Sequence, residues 1–215
     1  LIDQVVEWAL PESTNADEVS CTVKAFMAAD LPSELINLLE RIILQGSDFS
    51  DNRNLQNLLI LTAIRADASR VSGYIDQLDN FDAKDIALIC LSENHMLFEE
   101  GFNIYVKFSK PEHTADKDEQ IEMQVLAIGV LVDHMKDLDR AKTYASTCDA
   151  KPVWSKLGKA QLENKFPAEA IESFINAEDP SEYVMVCSEA NEAEIWDKLI
   201  PYLKMARKGM QENLI

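Results

Sequence analysis

The 215-residue sequence has little of what usually punctuates a chain: 6 glycines and 7 prolines. Alternating runs of Val and Thr, the mark of half-buried strands, are nearly absent, which argues against a β-rich fold. Histidine occurs three times, as His95, His113 and His134, with no HExxH and no paired spacing with cysteine. His95 and Glu99 could share a helix face, but two ligands do not make a zinc site. His113 sits in a polar stretch and reads as a solvated residue. The four cysteines, Cys21, Cys90, Cys148 and Cys187, form no CxxC and lie in apolar helical contexts. They read as core thiols in a reducing compartment. GxGxxG, GxxxxGK[ST] and GxSxG are all missing, so phosphate cradles and nucleophile elbows have no anchor. No signal peptide is visible, and no apolar run reaches the ~18 residues of a membrane span.

Positive charge is also scarce. Against 38 Asp and Glu stand 20 Lys and Arg, for a net charge of -18. The excess is spread: residues 1–108 hold 18 acids and 7 bases, residues 109–215 hold 20 and 13. This argues against a nucleic-acid partner, which needs a basic face, and against attraction to anionic lipid. The bland account is a solvated acidic surface. The one basic cluster, Lys204, Arg207 and Lys208, falls near the end of the last predicted helix, where cations complement the dipole.

What is present is helix-forming. Leu, Ala, Glu, Lys and Gln dominate, and 47% of residues are apolar. Period and punctuation predict helices near 1–10, 16–29, 32–45, 53–66, 68–78, 83–93, 96–108, 119–135, 137–148, 151–163, 167–177, 180–190 and 192–209. Asp67 is a candidate N-cap, Asp179 precedes Pro180 at a first helical position, and Pro32 and Pro167 suit first turns. The segment "RNLQNLLILTAIRAD", residues 53–67, is apolar most of the way round a helix and must be walled in on several sides. Short links force antiparallel neighbours. "SKPEHTADKDEQ", residues 109–120, lacks an apolar period and reads as an exposed loop and the best candidate boundary.

The pattern repeats. "VWSKLGKAQLENKFPAEAIESFINAED" (153–179) parallels "EYVMVCSEANEAEIWDKLIPYLKMA" (182–206), aligning Trp154, Leu157 and Gly158 with Tyr183, Val186 and Cys187. On the same alignment Ile171 and Phe174 meet Trp196 and Leu199. Residues 85–108 share the outline, with Phe102, Tyr105 and Phe108 on one face. A pair of helices this small cannot bury its own apolar face, whereas stacked pairs can. The expected fold is all-α: an α-solenoid of stacked antiparallel helical hairpins, a TPR-like superhelix. Leu61 and Trp154 are expected to be buried. Tyr74, Phe81, Phe98, Phe102, Tyr105, Trp154, Phe166, Phe174, Tyr183 and Trp196 read as core rather than as a cofactor pocket. Carboxylate neighbours such as Glu99–Glu100 and Asp118–Glu119 carry no acid–base signal. No catalytic, cofactor-binding or metal-binding residue is assigned, and no enzyme activity is expected.

The letters add a resemblance. "VSCTVKAFMAADLPSELINLLERIIL", "RNLQNLLILTAI", "VSGYIDQLDNFDAKDIA", "DLDRAKTYASTCDAKPVWSKLGKAQL", "EAIESFINAEDPSEY" and "YLKMARK" closely resemble the clathrin heavy-chain family, over nearly the whole window. The resemblance implies a leg segment near the distal leg and knee. Residues 1–108 would be the C-terminal part of one helical leg repeat, 109–119 a charged junction loop, and 120–215 the N-terminal part of the next. The family equivalent of "YVKF" leads almost at once into that of "QVLAIGVLVDHM", so the charged insertion marks a divergent member. It bears on loop geometry and not on fold, since loop closure entropy grows slowly with length. The implied partners are other heavy-chain legs, a light chain bound mostly beyond this window, and adaptors bound by a terminal domain that lies elsewhere. The implied location is cytoplasmic, on coated pits and vesicles. The competing reading is a helical-repeat binding module of another trafficking complex, of the vacuolar sorting tether type. Both ends of the sequence read as cut from a longer chain.

Overall fold

The computed structural model describes residues 16–45 and 47–212, so the helix predicted at 1–10 lies outside the described residues. Among those described are twelve α-helices and no strand. The chain divides into two compact units, one reaching to Ile104 and the other beginning at Tyr105.

The first unit contains α1 (Ala16–Ala28), α2 (Pro32–Leu44), α3 (Arg53–Ala66), α4 (Val71–Gln77) and α5 (Ala83–Leu91). A 3-10 turn, Ala68–Arg70, leads into α4. Here α2 packs on α1 and α3, and α3 packs on α4 and α5. Asn52 starts α3 by accepting from the Leu55 amide. Gln56, Leu59, Ile60, Ala63 and Ile64 of α3 are buried. The apolar cylinder at 53–66 is therefore walled in by chain neighbours on several sides. Leu61 is only half-buried, a correction to the expectation. Two residues on from Leu59, it is turned about 200° round the helix.

The unit boundary falls inside α6 (Phe98–Phe108). The second unit continues with α7 (Lys117–Gly129), a π-helical turn (Val130–His134), α8 (Leu138–Thr147), α9 (Lys151–Glu163), α10 (Pro167–Ala177), α11 (Tyr183–Glu192) and α12 (Trp196–Glu212). In this unit α9 packs on α7, α8 and α10, and α10 packs on α11 and α12. Helices of successive hairpins thus lie against each other. The charged segment is shorter as a loop than expected, because α7 starts at Lys117 rather than 119. Asp116 accepts from the Asp118 amide at 3.0 Å. Asp118 and Glu119 then favour the positive end of the helix. Charge masked that start.

The turns share a device. Asp30, Lys165, Glu178 and Glu194 all have φ between 52° and 64°. Each is followed by an amide that bonds back five residues: Leu31 to Phe26, Phe166 to Gln161, Asp179 to Phe174 and Ile195 to Ala190, at 2.9–3.3 Å. These are Schellman closures in which a non-glycine residue takes the left-handed position. Pro32 and Pro167 then open the next helix, as expected. Pro180 does not. It begins a turn in which the Asp179 carboxylate accepts from the Ser181 amide, and α11 starts at Tyr183. Asp67 likewise binds the Ser69 hydroxyl and Arg70 rather than a helix amide. The last helix runs on to Glu212, so Lys204, Arg207 and Lys208 lie before its final turn. Pro201 lies inside α12 and leaves the Asp197 carbonyl without its helical donor.

Candidate functional site

The second unit shows how one hairpin meets the next. Leu162, Ala170, Ile171, Phe174, Val186, Ala190, Leu199 and Tyr202 form one buried cluster. The Phe174 and Tyr202 rings lie 6.3 Å apart and tilted by 55°. Their positions, 174 and 202, give a repeat offset of 28 residues. The expected alignment of Ile171 with Trp196 is corrected by this register: Ile171 is buried, whereas Trp196 is 51% exposed. The three-residue error is close to one helical turn, so the apolar periods matched equally well. Leu157 and Val186, expected to align, are both fully buried and lie 29 residues apart, one more than the offset between the second helices.

Polar groups pin the layers. The Gln56 side chain donates to the Ser50 carbonyl at 2.9 Å and accepts from the Asn80 amide at 3.0 Å. Asn57 accepts from the Asp82 amide at 2.8 Å and donates to the Asp82 carboxylate. Arg53 lies 2.9 Å from that carboxylate. The Tyr74 hydroxyl donates to Glu40 at 2.5 Å, and Arg70 lies 3.3 Å from the same acid. Burial first, and Glu40 second, push the Tyr74 phenol up to about 12. In the second unit the buried Ser173 hydroxyl donates to Gln161 at 2.7 Å. Ser155 donates to Asp179, and Lys151 pairs with Glu178. Lys156 reaches Asp133 at 2.9 Å, Lys159 reaches Glu182 at 3.2 Å, and Lys165 reaches Glu189. A Cβ on Gly129 would sit 3.0 Å from the Lys156 amine, so glycine leaves room for that side chain to cross. Burial works against ionising Asp179, but Ser155 and Ser181 outweigh it and hold the carboxyl below its usual range.

These pins were missed in the sequence. Their signal was faint: Gln56 and Asn57 are polar inside an apolar helix, and Asn80 and Asp82 follow about one hairpin later.

The residues singled out for chemistry are dispersed. His95 lies in the turn before α6, off the helix that carries Glu99. The His113 ring packs against Phe108 at 4.9 Å and its side chain is only 13% exposed, so it is covered rather than solvated. His134 ends the π turn. All four cysteines are free thiols. Cys90 is buried, Cys148 and Cys187 are half-buried, and Cys21 is exposed, which corrects its core assignment. Burial pushes the Cys90 thiol up to about 12. Phe166, Tyr183 and Trp196 are exposed, Phe98 and Trp154 half-buried; the other aromatics expected in the core are buried there. The described residues hold no group of three or more His, Cys, Asp or Glu placed to bind a metal ion. None of their helices is long and apolar enough to cross a membrane. A cleft of about 660 Å³ lies along α9, but its lysines, Lys151, Lys156 and Lys159, are already paired with acids.

Stacked helical hairpins joined by tight turns, with polar pins between layers, define a helical-repeat protein of the α-solenoid class. Residues 10–167 match the family described as "Region in Clathrin and VPS". The whole chain aligns with "Clathrin heavy chain" of Drosophila melanogaster at 52% identity. It aligns with "Clathrin heavy chain 2" of Homo sapiens at 49%, and with "Clathrin heavy chain" of Dictyostelium discoideum at 48%. In each case the match covers all 215 residues of this chain and 12% of the relative. The chain belongs to the clathrin heavy-chain family, and its helices are the stacked repeats of that family.

Proposed function

We propose that this chain is a leg segment of a clathrin coat. Heavy chains joined in threes would place it within a leg, and interwoven legs would form the polyhedral lattice of coated pits and vesicles in endocytosis and intracellular transport. Identity of about half over the full chain to heavy chains of a fly, a human and an amoeba carries this reading. Its role is mechanical and not catalytic: hairpins stacked through nearest neighbours set a path and permit small changes at each interface. Its direct partners are other heavy-chain legs, in the cytoplasm. Light chain and adaptors bind mostly or wholly elsewhere on the molecule. Residues 109–119 lie at the junction of two leg repeats, the first ending near residue 108 and the next beginning near residue 120. The exposed stripe Trp196, Ile200 and Leu203 on α12, at i, i+4 and i+7, is the face on which the following hairpin stacks. Rotary-shadowed imaging of the intact protein tests the reading. Three-legged particles are expected, and compact globules would overturn it.

A further inference from the structure

One polar bridge in the second unit is not a pair. Glu172 on α10 gives one carboxylate oxygen to each of two lysines. Its Oε2 lies 3.4 Å from Lys142 Nζ on α8, and its Oε1 lies 2.6 Å from Lys198 Nζ on α12. The three residues stand 30 and 26 positions apart, about one hairpin each. In chain order α8, α10 and α12 are the second helices of three successive hairpins. The other row is tied separately, by Lys159 to Glu182 and by Lys165 to Glu189. Glu169, one turn before Glu172, adds a weaker attraction on Lys198. The seam between α10 and α12 is apolar, with Ile171, Phe174, Leu199 and Tyr202 in one cluster. Exposed ion pairs are individually weak and are screened by salt, whereas apolar burial is not. Charge and packing at this seam therefore respond to different conditions.

We propose that Glu172 is a charge-dependent tie across three successive hairpins. With both lysines engaged it fixes how α8 and α12 flank α10. When its charge is removed or screened, that edge loosens while the apolar seam holds, so the layers shift without unfolding. The use of such a tie, letting a leg change its bend, rests on the coat-leg reading; the tie itself does not.

Hydrogen–deuterium exchange on the full-length heavy chain tests it, with Glu172→Gln and with a reversal carrying Glu172→Lys, Lys142→Glu and Lys198→Glu together. In Glu172→Gln, amides of α8 and α12 should exchange about two- to fivefold faster, with α9 and the first unit unchanged. Salt at about 0.5 M should reproduce this in the native chain and have a clearly smaller effect on α8 and α12 in Glu172→Gln, where only the remaining ion pairs are left to screen. The reversal should move the rates back toward native, short of full restoration because Glu169 attracts Lys198 but repels its acidic replacement. Unchanged exchange in α8 and α12, an equal salt response with and without the Glu172 charge, or acceleration spread over the whole unit would each overturn the proposal. None of these readouts depends on lattice assembly, so failure here is distinct from failure of the coat-leg reading.

Discussion

At the scale of the residue, depth and chemistry separate cleanly. Leu59 is fully buried in α3, and Leu59→Ala should cost ~2–5 kcal/mol in a urea melt. Tyr202 is as deeply buried, yet its hydroxyl finds no hydrogen-bond partner among the described residues. Tyr202→Phe removes that group without leaving a cavity and should be neutral or stabilising by up to ~1 kcal/mol in the same melt. Cys90 and Cys21 should part in alkylation followed by mass spectrometry at pH 8. Cys21, exposed, labels readily, and Cys90, buried with its thiol pushed up to about 12, stays unlabelled until the chain unfolds. The sequence distinguished such sites only in part. Apolar period marks the buried stripe of α3, but it also put Leu61 inside, because on a helix apolar on most sides the period cannot rank the sides. Trp154 and Trp196 were misjudged for a related reason: indole is apolar enough to read as core and large enough to remain partly outside.

At the scale of the element, the spans of α3, α9 and α10 were fully legible as strong apolar runs, the last opened by Pro167; the Asn52 cap and Pro152 in the first turn of α9 sit at the other two starts. The turn geometry was not. Helix ends are usually announced by glycine, and here Asp30, Lys165, Glu178 and Glu194 stand in its place. Left-handed backbone costs an L-residue ~1–2 kcal/mol relative to glycine's freedom. Glu194→Gly should therefore raise stability by ~0.5–1 kcal/mol, read as an upward shift in Tm. Acid should act on the same elements. Lys198 first, and then Lys142, hold the Glu172 carboxyl below its usual range, and Ser155 and Ser181 do so for Asp179 against the effect of burial. A carboxyl depressed in the folded state contributes stability above its unfolded value and loses it as pH falls through the folded one. Urea midpoints of the second unit should thus be level through neutral pH and fall below the ordinary carboxylate range of about 4.

At the scale of the whole molecule, composition and the ~30-residue period pointed to stacked hairpins, but not to their register. The repeat offset is set by which rings meet, Phe174 on Tyr202, and a slip of three residues preserves the helical face while changing every contact. Sequence alone could not separate those alternatives, because each presents the same stripe. Nor could it foresee the polar pins, some of which, such as Lys159 to Glu182 and Lys165 to Glu189, join different hairpins. The 28-residue spacing from Phe174 to Tyr202 has a consequence under load. Tension along the backbone should peel layers away singly, each shielding the next until it gives. At about 3.5 Å per extended residue, a released layer adds about 100 Å of contour length, so stretching a single tethered chain in an optical trap should give a sawtooth of that step. On the proposed coat-leg reading, a network woven from such struts would yield by lengthening in increments, absorbing the pull of a curving surface where a brittle rod would snap.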